Sequence, residues 1–439
     1  MSKHYAGARI RTLRRHHELT QVEMANQLGI STSYLNQLEN DQRPLTVTVL
    51  LQLTESFDVQ ASYFSSEHDL RTINELTEVL PGIPTDELAD FAARFPDIAN
   101  SIPELSSSRT DPNPYQLVRD FFYDANNYFN ELDLAAEKLA AWAGVRQMRL
   151  TRLATALDNN HGVTVRFNQH DQRPRRVFHP ETRELHLRGG INEAQLCFQL
   201  ALQYGLLDQG TLIDELVADL PTDAARKVAR LGLAQYYAAA VTMPYGKFLA
   251  RAEETRYDID LLGAHFGTSF ESTCQRLSTL QRPGSRSVPF FFIRTDRAGN
   301  ISKRQSSSSF HFSRSGGSCP LWVVHRAFET PNRVTRQVAS MPDGRSYLWI
   351  AKMVQGPVQP FGTPAKEFAV GLGCDLDQAH RLVYADQLNL SPTAAVPIGP
   401  GCAACVRDDC AQRAFPYQGR PVTVDLNSTT ELAYRTVND

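Results

Sequence analysis

The sequence predicts a multidomain protein with an all-α N-terminal domain, a mainly helical α+β middle domain and an α+β C-terminal domain. Three observations support this fold class. The chain has 439 residues, which corresponds to about two to four domains of ordinary size. Apolar residues recur with helical spacing through most of the first 280 residues. After that point, short apolar runs such as PFFFIR, YLWIAKMV and EFAVGL are separated by Gly, Pro and Ser, which favours strands.

The composition is typical of a globular protein and excludes fibrous, disordered and membrane-spanning classes. Hydrophobic residues make up 42% of the chain and charged residues 21%, and both fractions are ordinary. No apolar run approaches the roughly 20 residues of a spanning helix. The basic N-terminus also lacks the apolar segment of a secretory signal. We therefore expect a cytoplasmic protein with no membrane partner.

Changes in residue pattern divide the chain into four segments. Residues 1–68 form a compact helical domain, and residues 69–114 form a helical connector that ends in a linker rich in Ser and Pro. The middle domain is expected at 115–280 and the C-terminal domain at 281–439. The sequence contains no internal repeat.

The first domain contains two predicted helices joined by a tight turn. Thr20 can cap the first helix with Glu23 as its reciprocal partner in a capping box, and Gly29 supplies the turn. The apolar residues expected to face the core are Val22, Met24, Ala25, Leu28, Ile30, Tyr34, Leu35 and Leu38. The intervening polar residues of the second helix then point outward. Such a helix can enter the major groove, where Asn and Gln can pair with adenine edges.

The string TQVEMANQLGISTSYLNQLENDQRPLTVTVLLQLTESFDV resembles the helix-turn-helix of the phage-repressor (XRE/Cro) family. The resemblance implies binding to a double-stranded DNA operator. One such module contacts too little DNA for specificity, so we expect a homodimer on a palindromic site. Although the net charge of the chain is −3, the N-terminus is basic, and its arginines add salt-dependent affinity for phosphate. The predicted DNA-binding residues are Arg11, Gln21, Ser31, Thr32, Ser33, Asn36, Gln37, Asn40 and Arg43.

Two other patterns stand out in the middle domain. The segments VTVRFN (163–168) and RELHLRG (183–189) alternate like a short hairpin. Residues 257–280 again read as helix–turn–helix, with Gly267 at the bend. We interpret this second helical pair as scaffold, and a second DNA contact is the alternative.

The stretches CFQLALQYGLL and LAQYYAAAVTMP resemble the ImmA/IrrE zinc-metallopeptidase family. That family carries HExxH on a helix, where two His bind zinc and Glu activates water. The matching positions here are Leu202, Gln203 and Leu206, and the third ligand is matched by Leu233. Aliphatic side chains cannot coordinate zinc, and an amide cannot act as the general base. We therefore expect a peptidase-like scaffold with no catalytic residues, in a protein that is not an enzyme.

Cysteines near the C-terminus have the spacing of a metal site. The segment GCAACVRDDC places Cys402, Cys405 and Cys410 in a C-x2-C-x4-C pattern, from which the sulfurs can hold one metal centre. A fourth ligand is available in Cys374 or Cys319, and we assign Cys374 to the set. Spacing alone does not choose between zinc and an iron–sulfur cluster. Three free or disulfide-prone thiols are the remaining alternative.

Residues 282–352 combine a strong basic excess with aromatic residues. The segment could contact nucleic acid, form a solvated surface or bind a phosphorylated small molecule. A pocket that needs both cations and an apolar wall favours the last use, and coenzyme A esters have both requirements. The predicted ligand-binding residues are Arg294, Lys303, Arg304, Phe310, Arg314 and Trp322.

The run from GNISKRQSSSSFHFSRSGGSCP to SYLWIAKMV, followed by GLGCD, LVYAD and PIGPGCAACVRDDCAQRAFP, resembles the C-terminal sensor domain of the PrpR/RamB-type short-chain fatty acyl transcriptional regulators. The match is looser in QSSSSFHFSRS, which leaves the acyl-chain preference open. The resemblance implies a regulator of propionate/methylcitrate, glyoxylate or acetate metabolism that senses a short-chain acyl-CoA. It also implies a 4Fe-4S cluster on the cysteine group. The alternative is a DNA-binding regulator with a structural Zn site and no small-molecule response.

Overall fold

The structure, a computed structural model, describes residues 6–17, 19–40, 42–57, 59, 64, 72–73, 75–77, 79–80, 83, 85–95, 98–102, 113–168, 174–306, 318–356, 361–418, 420–424, 427 and 435–436. The chain divides into two compact units. The first consists of Met1–Asp111, Ser309–Leu321 and Ile398–Asp439, and the second of Pro112–Ser308 and Trp322–Pro397. The predicted boundary between residues 280 and 281 therefore falls inside the second unit. The predicted C-terminal domain is shared between the two units.

The first unit begins with the predicted helix-turn-helix. Its helices are α1 (Gly7–His16), α2 (Gln21–Gln27), α3 (Thr32–Glu39), α4 (Val47–Phe57) and α5 (Thr85–Arg94). Ile10, Met24, Leu35 and Leu53 bring α1 to α4 into one apolar core. Val22 was expected in this core, but the prediction is wrong because its side chain is 55% exposed.

Local hydrogen bonds explain where α2 and α3 begin. The Thr20 hydroxyl accepts from the Glu23 N–H at 3.2 Å, and the Glu23 carboxylate accepts from the Thr20 N–H at 2.8 Å. The predicted capping box is thus confirmed. Gly29 has a φ of +62° in the turn, a conformation that glycine adopts without steric cost. Ser31 then caps α3, because its hydroxyl accepts from the Tyr34 N–H at 3.1 Å.

The second unit opens with helices around a small sheet. The elements are α6 (Pro114–Asp124), α7 (Asn130–Ala143), α8 (Arg146–His161), β1 (Thr164–Asn168), β2 (Arg176–His179), β3 (Glu184–Arg188), α9 (Glu193–Asp208), α10 (Gly210–Leu216), α11 (Asp223–Thr242), α12 (Tyr245–Glu254), α13 (Ile259–Phe266) and α14 (Phe270–Leu277). The strand order is β1-β3-β2, with β1 and β3 parallel and β2 and β3 antiparallel. The predicted hairpin of residues 163–168 with 183–189 is therefore wrong, since the hairpin partner of β3 is the intervening β2.

A six-stranded mixed sheet follows in the same unit. Its elements are β4 (Phe291–Thr295), β5 (Ile301–Ser306), the short helix α15 (Val323–Arg326), β6 (Thr335–Ser340), β7 (Ser346–Gln355), β8 (Glu367–Asp375) and β9 (Val396–Pro397). The strand order is β5-β4-β8-β7-β6-β9. The register separates two faces. The helix face carries Phe292, Leu348, Ile350 and Leu372, which share an apolar cluster with residues of α12 to α14.

The opposite face of this sheet, called here the aromatic face, is lined by rings. Phe291 lies 4.7 Å from Trp349 between ring centroids, and Trp322 lies 4.5 Å from the same Trp349 ring. The close packing requires glycine in β8, because a Cβ at Gly373 would lie 2.0 Å from the Phe291 ring. Any larger residue at that position would therefore displace the ring.

An ion pair lies fully buried in the second unit. The Asp133 carboxylate on α7 accepts from Arg276 on α14, and both side chains are at most 1% exposed. The Tyr236 hydroxyl on α11 also donates to Asp133, at 2.5 Å. These contacts satisfy both buried charges, which is the condition under which a protein interior tolerates them.

The last part of the chain returns to the first unit. It contains a 3₁₀ turn at Cys402–Ala404 and two short antiparallel strands, β10 (Val422–Thr423) and β11 (Arg435–Thr436). The predicted fold class is confirmed: a helical N-terminal domain, a mainly helical α+β middle region and a mixed-sheet C-terminal region. Within the described residues, no helix is both long and apolar enough to cross a membrane.

Candidate functional site

Helix α3 has a buried apolar side and a polar outer side. Leu35 and Leu38 are at most 1% exposed and anchor the helix in the core of the first unit. The predicted DNA-binding residues that are exposed or half-buried on its other side are Thr32, Ser33, Asn36, Gln37 and Asn40. Ser31 is also exposed but serves as the helix cap. The structure therefore brings the predicted base-reading residues onto one surface.

The buried carboxylate of Glu39, which sequence reasoning missed, holds α3 against the two neighbouring helices. Glu39 at the end of α3 is 2% exposed. It accepts from Arg14 Nε of α1 at 2.6 Å and from Gln21 Nε2 of α2 at 2.8 Å. One side chain thus joins the three helices that form the motif. An acidic residue at the C-terminal end of a helix opposes the helix dipole, and that unfavourable position was the available sequence signal.

The predicted DNA-contacting residues Arg11 and Gln21 position the amides of α3. Arg11 Nη2 donates to Asn40 Oδ1 at 2.7 Å, and Asn40 Nδ2 donates to Asn36 Oδ1 at 3.0 Å. Gln21 Nε2 lies 3.3 Å from the same Asn36 oxygen. With its oxygen engaged by two donors, Asn36 keeps its Nδ2 to donate to a base acceptor.

Arg43 follows α3 and remains exposed. Its backbone N–H donates to the Gln37 carbonyl at 3.3 Å. Its guanidinium lies 5.7 Å from the centre of the Tyr34 ring. Arg43 is thus held beside α3, where an exposed cation can contact phosphate.

The peptidase-like positions are filled by core packing. Leu202, Leu206 and Leu233 belong to one apolar cluster formed by α9, α11 and their neighbours. Gln203 is 2% exposed, and its side-chain oxygen accepts from the Arg176 guanidinium on β2. Burial lowers the pKa of Arg176. An amide and a cation therefore stand where the family would place its catalytic base, and neither can activate a zinc-bound water at neutral pH.

Three of the cysteines near the C-terminus share their surroundings with Cys319. A backbone N–H approaches each of three thiols: that of Ala414 lies 3.4 Å from Cys402 Sγ, that of Arg407 donates to Cys405, and those of Leu321 and Gly399 donate to Cys319. Burial raises the pKa of the Cys319 and Cys405 thiols, and the N–H groups offset only part of this rise. Cys402 and Cys405 also act electrostatically on Cys319, and Cys410 on Cys405. Among the described residues, however, no three His, Cys, Asp or Glu side chains are close enough to hold a metal ion.

Arg413 organises the backbone of the cysteine loop. Its guanidinium donates to the carbonyls of Cys402 at 3.1 Å, Cys405 at 3.0 Å and Phe415 at 3.2 Å, and also to that of Arg407. Sequence reasoning missed this residue, because an arginine that binds carbonyls has no distinguishing sequence pattern.

Cys374, assigned from the sequence to the metal set, lies elsewhere. Its side chain on β8 is fully buried in the apolar cluster of the helix face, with Leu348 and Leu372. Burial raises the pKa of this thiol well above its ordinary value. The apolar surroundings disfavour a metal-bound thiolate there.

The predicted ligand-binding residues do not form one cluster. Arg294 and Lys303 face each other across β4 and β5, and both pair with Glu271 of α14, at 2.9 and 3.2 Å. Arg304 lies opposite Ile293, so its position belongs to the aromatic face that also carries Trp322. Phe310 and Arg314 lie outside the described residues. The charges of Arg294 and Lys303 are thus partly neutralised by Glu271 on the helix face, which is the side opposite the aromatic face.

Comparisons with known proteins cover almost the entire chain. Family models match the short-chain fatty acyl coenzyme A regulator C-terminal domain at residues 279–434, the IrrE N-terminal-like domain at 158–278 and a helix-turn-helix at 10–64. The HTH-type transcriptional regulator PrpR of Mycobacterium tuberculosis is 48% identical over 466 residues, which covers 99% of this chain and 96% of that protein.

Further relatives agree with these matches. The HTH-type transcriptional regulator RamB of Mycobacterium tuberculosis is 43% identical, and the propionyl-CoA carboxylase regulator of Cereibacter sphaeroides is 39% identical, each with 99% of both chains covered. The solved structure of a Mycobacterium tuberculosis transcriptional regulator matches with a TM-score of 0.71 and 51% identity. That match covers 74% of this chain and 100% of the solved chain.

Proposed function

Because the chain belongs to the short-chain fatty acyl coenzyme A regulator family, we propose that it binds a DNA operator and that a short-chain acyl-CoA controls this binding. The genes controlled would serve propionate/methylcitrate, glyoxylate or acetate metabolism. The names of relatives support this class, since one is a propionyl-CoA carboxylase regulator. We propose that the protein acts in the cytoplasm and has no peptidase activity.

The braced recognition helix is the observation that carries the proposal. Glu39 joins α3 to α1 and α2 through Arg14 and Gln21, so the polar side of α3 is fixed before DNA arrives. A preorganised surface loses less conformational entropy on binding. Gln37 and Asn36 are the side chains best suited to read bases, and Arg43 is suited to phosphate.

A homodimer on a palindromic operator is part of the proposal. A single helix-turn-helix reads one half-site, and two copies related by a two-fold axis read half-sites separated by about one turn of DNA. An acyl-CoA would act by favouring one arrangement of the two reading heads. Such coupling requires that the ligand bind the two arrangements with different affinity.

The aromatic face of the second unit is the region we propose for the acyl-CoA. Trp322 and Trp349 are buried on this face and would supply the apolar part of the site, and Arg304 would supply a cation at the edge strand on the same side. Arg294 and Lys303 pair with Glu271 on the helix face of the sheet. A phosphate group pairs well with arginine, and an acyl chain with an apolar wall.

The cysteine group is proposed to hold a 4Fe-4S cluster, with zinc as the alternative. Its thiols fit such a group chemically, because thiolates are the usual ligands of both, and backbone N–H groups already point at three of the sulfurs. Cys402, Cys405 and Cys410 would hold the metal. A cluster would supply a redox-sensitive signal, whereas zinc would supply stability alone.

Operator binding is tested with operator fragments selected from random DNA by the purified full chain. Gln37→Ala should weaken operator binding by about 5- to 150-fold, with binding to unrelated DNA little changed, because a lost base contact costs about 1–3 kcal/mol. Gln27→Ala, an exposed amide on α2, is the matched control. Equal losses on operator and unrelated DNA would contradict the proposed role of α3.

The acyl-CoA response is tested by titrating propionyl-CoA into the operator complex. The proposal requires a shift in operator affinity, which Arg304→Ala weakens and Arg286→Ala, an exposed arginine, leaves unchanged. A regulator with structural zinc would instead ignore acyl-CoA, contain zinc and be colourless. The backbone N–H groups at the thiols suit that second function equally well.

A further inference from the structure

The side-chain amide of Asn40 has an orientation that its partners fix. Its oxygen accepts from Arg11 Nη2 at 2.7 Å, and a guanidinium nitrogen can only donate. Its nitrogen donates to the Asn36 backbone carbonyl at 2.9 Å, and a carbonyl oxygen can only accept. Exchanging the two ends of this amide would oppose donor to donor and acceptor to acceptor. The Asn40 atom beside the Asn36 side chain is therefore the nitrogen.

Gln21 approaches Asn36 from α2, and its orientation is fixed in a similar way. Gln21 Nε2 donates to the Glu39 carboxylate at 2.8 Å. Glu39 is buried and paired with Arg14 at 2.6 Å, and an ionised carboxylate can only accept. The atom of Gln21 that lies beside this carboxylate must therefore be its nitrogen. The same nitrogen lies 3.3 Å from Asn36 Oδ1.

Two donors thus face one atom of the Asn36 amide, which must be its oxygen. Asn40 Nδ2 lies 3.0 Å from that oxygen, and Gln21 Nε2 lies 3.3 Å from it. Reversing the Asn36 amide would lose both hydrogen bonds and oppose N–H to N–H. Asn36 is exposed, and among the described residues no acceptor is paired with its Nδ2. The two N–H groups of Asn36 therefore remain for a partner outside the chain.

This orientation changes what Asn36 can recognise in DNA. An asparagine with a free amide can form a paired contact with adenine, in which its oxygen accepts from the amino group and its nitrogen donates to N7. Both lone pairs of the Asn36 oxygen are already engaged. In the major groove, guanine and thymine present acceptors and no amino group, whereas adenine and cytosine present an amino donor. Phosphate oxygens are acceptors as well.

From this geometry we infer that Asn36 contacts an acceptor-only group of DNA, either the edge of guanine or thymine or a phosphate oxygen, and that it does not recognise adenine. Arg11, Gln21 and Asn40 are positioning residues, because they fix the direction of the Asn36 amide. The inference rests on the proposed operator binding and deepens it, since it names the chemistry that one residue of α3 recognises.

Base analogues test the inference without changing the protein around Asn36. Operators are selected from random DNA by the parent chain and by Asn36→Ala. A position at which Asn36→Ala alone loses its base preference identifies the contacted base. We expect guanine or thymine there, favoured about fivefold or more over adenine. Purine, which keeps N7 but lacks the amino group, should bind the parent chain more tightly than adenine at that position. A preference for adenine that purine weakens overturns the inference.

A phosphate contact gives a different pattern. Asn36→Ala then weakens binding to operator and to unrelated DNA alike. Replacing the contacted phosphate by an uncharged methylphosphonate should weaken the parent chain but not Asn36→Ala. Either pattern supports the inference, and the two patterns identify the source of the acceptor. An Asn36→Ala variant with unchanged affinity and unchanged base preference overturns it.

A double-mutant cycle tests the positioning role of Asn40. Asn40→Ala should weaken operator binding about two- to tenfold in the parent chain, but it should have no further effect in the Asn36→Ala background. General destabilisation would weaken binding equally in both backgrounds, and that result overturns the role of Asn40. Asn26→Ala, at an exposed asparagine on α2, is the matched control and should match the parent chain.

The outcomes also separate the inference from the function on which it rests. A parent chain that selects no operator overturns the proposed function and the inference with it. A parent chain that selects an operator, but reads adenine through Asn36, overturns the inference alone.

Discussion

Arg276 on α14 forms a two-point ion pair with Asp133 on α7, with nitrogen–oxygen distances of 2.9 and 3.0 Å. The pair is fully buried, and Arg276 Nε also donates to the Met243 carbonyl at 3.0 Å. The carboxylate has a further donor in the Tyr236 hydroxyl. This network ties three helices of the second unit to one another at a single point.

Removing one member of that pair should destabilise the second unit strongly. Asp133→Asn leaves the buried Arg276 without its counter-charge, and we expect a loss of about 3–5 kcal/mol in the free energy of unfolding. Urea denaturation followed by circular dichroism measures it. Asp223→Asn breaks an exposed pair with Lys227, so it should cost at most about 1 kcal/mol. Similar losses in the two variants would show that the buried pair contributes little.

Glu39→Gln should weaken operator binding although Glu39 itself is buried. The substitution keeps the shape of the side chain but removes the charge that holds Arg14 and Gln21. We expect a loss of about 1–3 kcal/mol in the stability of the first unit, together with weaker operator binding. Thermal unfolding and DNA anisotropy report the two effects. Glu23→Gln, an exposed substitution in the capping box, is the control for loss of a negative charge near the DNA.

Gln203 and Arg176 should show energetic coupling that has no connection with catalysis. Gln203→Leu removes the acceptor of the Arg176 guanidinium, and we expect it to cost about 1–3 kcal/mol. In a double-mutant cycle with Arg176→Met, part of this cost should disappear, with a coupling of about 0.5–3 kcal/mol. Independent, additive effects would argue against the contact. Operator affinity serves as the readout that should not change.

Arg413→Lys should reduce metal affinity without removing a ligand. Lysine lacks the planar fork with which Arg413 holds the carbonyls of Cys402 and Cys405. Residues that orient ligands typically contribute about 10–100-fold in metal affinity, and we expect a loss in that range in Co²⁺ titrations. Arg420→Lys is the matched control, because Arg420 pairs with Asp408. Unchanged affinity in Arg413→Lys would leave the loop organised by other contacts.

The ion pair between Arg256 and Asp386 should make part of the free energy of unfolding depend on pH in the acidic range. A hydrogen bond from Arg256 lowers the pKa of Asp386. The pair therefore stabilises the folded state at pH values above the unfolded pKa of about 3.9. This stabilisation is lost as the pH falls through the lower pKa of Asp386 in the folded state. NMR titration should find Asp386 below its ordinary range, and Arg256→Gln should return it towards that range. A normal value in the parent chain would contradict the contact.

The sequence predicted local features well and long-range compensation poorly. The capping box of Thr20 and the polar side of α3 depend on neighbours in sequence, so spacing was sufficient to find them. Glu39 was missed because its partners come from two other helices. Arg294 and Lys303 have the positive charge expected of phosphate-binding residues. Only the fold shows that both form ion pairs with Glu271.

The first unit combines three stretches of chain, and the last of them begins at Ile398. The ribosome therefore synthesises all of the second unit before it adds the final stretch of the first. A product that stops near residue 397 would hold the helix-turn-helix and the whole six-stranded sheet but no cysteine loop. Premature termination at that point should thus yield a chain that keeps its DNA-binding domain and lacks the cysteines proposed to hold a metal.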